Sequence, residues 1–119
     1  MVLWYVFQRD TCRLGRDAMI KQNIGIEGYW NVIIIYNAYL GYYNTGFTQT
    51  DYKKKISVVG ISLSTSCEEF MNTMIHEVRH VVDDICKYYD VKLNSEDAAY
   101  LTGYLIQRMY KFYKKHIDC

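Results

Sequence analysis

Proline is absent from the 119 residues, so turns must be made by Gly, Asn, Asp and Ser. An excess of either charge is also missing. Fourteen Lys and Arg stand against thirteen Asp and Glu, a formal net charge of +1, which argues against nucleic acid or a membrane surface as partner. The four cysteines, Cys12, Cys67, Cys86 and Cys119, include no CxxC pair, which removes the usual zinc-ribbon spacing. Long hydrophobic runs are lacking too. The start, Met1-Val-Leu-Trp-Tyr-Val-Phe7, has no basic residue before it and gives way to Gln8-Arg9-Asp10. It is too short for a signal peptide or a membrane span. These features lead us to expect a cytoplasmic chain with free thiols and no membrane association.

No repeat, linker or low-complexity segment divides the chain, so residues 1–119 are read as one domain. Half of the residues are apolar and 23% are charged, a balance that suits a packed core rather than disorder. The thirteen tyrosines fit a small domain with much half-buried surface.

Residues 2–8 are aromatic and β-branched and read as a strand. Residues 11–23 read as a helix followed by Gly25 and Gly28 as stop signals. The run Val32-Ile-Ile-Ile-Tyr36 is a buried-strand signature. Asn37-Ala38 is expected to turn it into a second aromatic strand over 39–43, with a turn at Asn44-Thr45-Gly46. Residues 47–55 are polar, and Lys53-Lys54-Lys55 reads as a solvated edge in preference to a nucleic-acid contact. Residues 56–63 form another strand, with Gly60 as a possible bulge.

From Ser64 onward the hydrophobic period lengthens. Ser66-Cys67-Glu68-Glu69 matches a capping box and opens a helix over 67–89. Its expected core stripe is Met71, Ile75, Val78, Val82 and Ile85. Asn94 or Ser95 caps a last helix through Ala98, Leu101, Leu105, Met109 and Phe112, ending in Lys111, Lys114, Lys115 and His116. Strands followed by two helices make an α+β domain with a mostly antiparallel N-terminal sheet.

The chemistry lies in His76-Glu77-Val78-Arg79-His80. Two histidines four residues apart share one helix face and can hold one metal ion, and neutral imidazoles suit zinc. Thr73, His76, Glu77, His80 and Asp84 are expected to form a polar face that opens onto a cleft. A catalytic zinc needs a third protein ligand. Glu96, at the start of the last helix, is the strong candidate and Asp97 its competitor. Asp83 or Asp84 can orient an imidazole. Glu77 is placed to accept a proton from zinc-activated water and pass it to the leaving amine. Tyr42, Tyr43, Tyr100, Tyr104 and Arg79 are candidates for stabilising the oxyanion. His116, in a basic tail with no partner ligands near it, is not expected to bind metal. Cys67 and Cys86 lie off the histidine face and read as packed thiols. Trp4 and Trp30 read as core or cleft wall.

Met74-Ile-His-Glu-Val-Arg-His80 followed by Ser95-Glu-Asp-Ala-Ala-Tyr-Leu-Thr-Gly103 resembles the gluzincin branch of the zincin metallopeptidases. The resemblance covers residues 56–105. It implies a small zincin-like fold in which His76, His80 and Glu96 bind zinc, Glu77 is the general base, and the substrate is a peptide or protein. It also implies a sheet edge that holds the substrate backbone, with residues 56–63 as the candidate.

Overall fold

The computed structural model describes residues 19–38, 40, 45–62 and 66–116. The expected strand at 2–8, the aromatic strand at 39–43, and Trp4, Cys12, Asn44, Leu63 and Cys119 lie outside them or largely so. Within them the architecture is α+β. Four strands, β1 (Ile20–Ile26), β2 (Trp30–Ala38), β3 (Gly46–Asp51) and β4 (Ile56–Ser62), precede two helices, α1 (Cys67–Tyr89) and α2 (Glu96–His116).

The sheet order is β1-β2-β4-β3. The outer pairs β1–β2 and β3–β4 are antiparallel, and the central pair β2–β4 is parallel. The expectation of a mostly antiparallel sheet therefore holds for two of the three pairings. Because β4 is flanked on both sides, residues 56–62 are not the sheet edge expected beside the histidine helix. That edge is β3.

Strand alternation sets the layers. Trp30, Val32, Ile34 and Tyr36 of β2 are buried with Ile24, Ile26, Val59 and Ile61 against Phe70, Met74, Val78, Leu105 and Met109 of the helices. The opposite face carries Ile35 and Ala38, with Phe47 and Val58 packed against them. Inside the main core, Trp30 Nε1 donates to Ser57 Oγ at 3.1 Å, and Tyr36 donates its hydroxyl hydrogen to Gln22 Oε1 at 2.7 Å. Both buried donors are thereby satisfied.

Residues 20–23, read from sequence as the end of a helix, are strand. Ile20, Gln22, Ile24 and Ile26 share the face turned toward the helices, a period of two. β1 and β2 are joined through Glu27 and Gly28, both at positive φ (47° and 77°). Tyr29 N–H closes this turn onto Ile26 O at 3.0 Å, the left-handed pairing that matches hairpin twist. Gly60 is in regular register with Ile35 and Phe47 and is not a bulge. The irregularity instead lies between Tyr36 and Ala38, where Asn37 takes φ 59°. Gly60 is needed for another reason, since a Cβ there would overlap the Phe47 ring.

Ser66 accepts from Glu69 N–H at 3.1 Å and starts α1 as expected. Asp90, in the left-handed region, donates its N–H to the carbonyls of Cys86 and Lys87 and ends it. Ser95 Oγ accepts from Ala98 N–H and caps α2. Val78, Val82 and Ile85 are buried, Met71 is half-buried, and Ile75 is 46% exposed. Packing selects Phe70 and Met74 for the stripe instead, and Ile75 lies outside the core formed by the described residues. Cys86 is a free buried thiol, whereas Cys67 is exposed and disulfide-bonded. The free-thiol expectation is thus corrected at Cys67. No described helix is long and apolar enough to cross a membrane.

Candidate metal centre

β3 lies along α1 with its small residues inward. Gly46, Thr48 and Thr50 alternate onto the helix-facing side, and they meet a polar strip of α1. A Cβ on Gly46 would stand 2.9 Å from Thr73 Cγ2 and 3.0 Å from both Cγ and Oε2 of Glu77. Thr48 donates its hydroxyl to Glu77 Oε1 at 2.7 Å. Thr50 donates to Asp84 Oδ2 at 2.7 Å, and Tyr52 to Asp84 Oδ1 at 3.2 Å. The side chains are short enough for strand and helix to approach closely, and each buried carboxylate oxygen so engaged is compensated by a hydroxyl.

This contact corrects the expected polar face. Thr73 and Glu77 do not open onto a cleft. They are 6% and 5% exposed beneath β3. His76 and His80, on the same side of α1 but farther round, emerge past the edge strand and are exposed. Their Nε2 atoms are 3.2 Å apart. Two imidazole nitrogens about 2.0–2.1 Å from one tetrahedral zinc stand about 3.3 Å from each other, so the pair is already at ligand separation. The same distance suits an N–H···N bond in which one neutral ring donates to the other.

Glu96 does not join them. On α1, the residues that border α2 around the groove between the helices include Ile85 and Cys86. Cys86 follows Glu77 by nine residues, about 180° round a helix of 3.6 residues per turn. Cys86 on the α2-facing flank is therefore opposite Glu77. Glu96 is itself exposed, and it precedes the buried Leu105 by nine residues, so it points away from the core side of α2. Asp97, its competitor, lines the groove with Cys86. Among the described residues, no group of three His, Cys, Asp or Glu side chains is placed to hold a metal ion.

The accessory candidates are also placed. Arg79 pairs with Asp83 at 3.0 Å. Asp84 is held by Thr50 and Tyr52, so neither aspartate is seen orienting an imidazole. Tyr100 and Tyr104 line the groove on the other flank of α1. Tyr42 and Tyr43 lie outside the described residues. His116 is exposed, its ring 4.3 Å from that of Phe112. Thr48 and Thr50 were not singled out from sequence, and Gly46, expected in a turn, instead begins β3. The available signal was the period-two repeat of small residues at 46, 48 and 50, ahead of a strand with the same period.

No family model, curated protein or solved structure matches this chain. The likeness to gluzincins rests on the motif residues alone.

Proposed function

We propose that His76 and His80 bind zinc through Nε2 and that the site serves a zinc-dependent metallopeptidase with Glu77 as general base. The observation that carries this reading is the 3.2 Å separation of the two Nε2 atoms. A zinc ion held there would supply Lewis acidity toward a scissile carbonyl and acidify water. Glu77 lies beside the pair on the same helix. Its carboxylate takes a proton from water and returns it to the amide nitrogen as the C–N bond breaks. Among the described residues β3 is the edge strand beside the same helix, and an extended peptide substrate would add there.

A second reading is favoured by two observations. Glu77 is buried and bonded to Thr48, and among the described residues no third acidic, His or Cys side chain groups with the two histidines. Both suit a zinc-binding domain that does not hydrolyse peptides. Metal analysis and a peptide-library digest monitored by mass spectrometry separate the readings. The peptidase reading expects stoichiometric zinc, lost in His76→Ala and His80→Ala, and cleavage abolished by Glu77→Gln with zinc retained. Zinc without cleavage supports the second reading, and absence of zinc binding overturns both.

A cytoplasmic chain with free thiols was expected from the sequence, whereas Cys67 is disulfide-bonded. Alkylation of protein from intact cells before lysis reports which state Cys67 holds.

A further inference from the structure

A groove of about 800 Å³ lies away from the histidines. It lies between the β1–β2 turn, the end of α1 and the first half of α2. Its floor is apolar, formed in part by the buried Ile26, Ile85 and Cys86. Tyr29, Tyr89, Tyr100 and Tyr104 form its walls. Tyr29 and Tyr89 meet edge to face at 5.4 Å, and the Tyr89 hydroxyl donates to Tyr29 O at 3.3 Å, which braces one wall. Two charged residues, Glu27 and Asp97, line the groove, and no described Lys, Arg or His does.

Each feature selects for the same ligand chemistry. Aromatic faces carry negative quadrupole potential and attract a cation held over them. The two carboxylates give the lining itself a net negative charge, while Arg108, outside the lining, donates to the Tyr104 hydroxyl at 2.6 Å and lies 5.6 Å over that ring. An apolar floor accepts a hydrocarbon or aryl body. Glu27 also occupies a left-handed turn position where glycine or asparagine is favoured, so the turn keeps a carboxylate at some conformational cost. Burial, with the nearby Glu27 carboxylate next in effect, raises the Tyr29 pKa, in keeping with a negative field across the groove.

We propose that this groove is a binding site for small organic cations that join an ammonium group to an apolar or aryl body, with Tyr29, Tyr89, Tyr100 and Tyr104 as the cage and Glu27 and Asp97 as the counter-charge. The site is independent of the zinc reading, because its lining includes none of His76, Glu77 and His80.

Phenethylammonium is a suitable probe, with 2-phenylethanol as its neutral counterpart and phenylacetate as its anionic one. Titration is followed by the tyrosine ring resonances and by calorimetry. The cation should saturate one site, move the resonances of Tyr29, Tyr89, Tyr100 and Tyr104, and bind about tenfold more tightly than the alcohol, with phenylacetate weaker still. The double variant Glu27→Gln/Asp97→Asn should lower cation affinity about tenfold and leave the alcohol unchanged. Tyr100→Ala, at a largely exposed position, should weaken the cation without loss of fold, and His76→Ala should leave binding intact. Equal affinity for cation and alcohol, no effect of removing both carboxylates, or resonance changes confined to residues outside the groove would overturn the proposal. So would the absence of saturable binding by phenethylammonium up to about 10 mM, the weak limit for a site of this kind.

Discussion

Replacing Thr48 with valine should destabilise the domain by about 2 kcal/mol, the range for losing a hydrogen bond to a charged group. The shape of the side chain is nearly kept, and the hydroxyl that Glu77 Oε1 accepts from at 2.7 Å is lost. Glu77 is 5% exposed, so loss of the Thr48 hydroxyl leaves the carboxylate under-solvated. With a urea m-value of about 2 kcal/mol/M, the expected shift in unfolding midpoint is about 1 M. Thr48→Ser retains the hydroxyl and should lose less than about 1 kcal/mol, the value of one buried methyl. In a Glu77→Gln background, the cost of Thr48→Val should fall by about half, because a neutral amide forms the weaker bond. Equilibrium unfolding of the four proteins of this cycle at pH 7 gives each quantity. A loss under about 0.5 kcal/mol for Thr48→Val, or the same loss in both backgrounds, would refute the assignment of this contact as a charge-assisted bond.

Two further outcomes are expected. Gly60→Ala should cost more than about 2 kcal/mol through overpacking against Phe47, and most of that cost should vanish when Phe47 is also shortened to leucine; additive thermal or urea denaturation data would exclude the contact. Burial, and secondarily Tyr113, pushes the Tyr36 hydroxyl well above its ordinary range. The unfolded chain releases this proton near pH 10 while the folded chain keeps it, so stability is full below about pH 10 and falls as pH rises beyond it. The urea midpoint should decline between pH 9 and 11, less steeply in Tyr36→Phe, and identical slopes would remove Tyr36 as a cause.

The legible parts of the fold were those where local chemistry and packing agree. Ser66 and Glu69 fixed the start of α1, and the run Val32–Tyr36 marked a strand buried on both faces. Two strands were missed for different reasons. In β1, Ile20, Gln22, Ile24 and Ile26 alternate, but Lys21 and Gln22 also suit a helix, and sheet pairing decides the outcome. In β3, the inward residues are Gly46, Thr48 and Thr50, so the usual apolar alternation is absent because the strand covers polar groups of α1. The histidine spacing was readable because a helix alone sets it. The position of Glu96 depends on which flank of α1 receives α2. That choice follows from how both helices cover the sheet, α2 toward β1 and α1 toward β3 and β4, and no local spacing encodes it.

Phe47 and Gly60 occupy the sheet face turned away from the histidines, yet they govern the carboxylate on the other side. Slipping β3 by one residue would turn Thr48 outward and bring Phe47 onto α1, against Thr73 and Glu77. The ring seated over a residue without a side chain holds the strand against that slip. Positions 47 and 60 should therefore change together in any diverging copy of this domain, a bulkier residue at 60 appearing with a smaller one at 47. Such a paired exchange would preserve the setting of Glu77 although neither residue touches it.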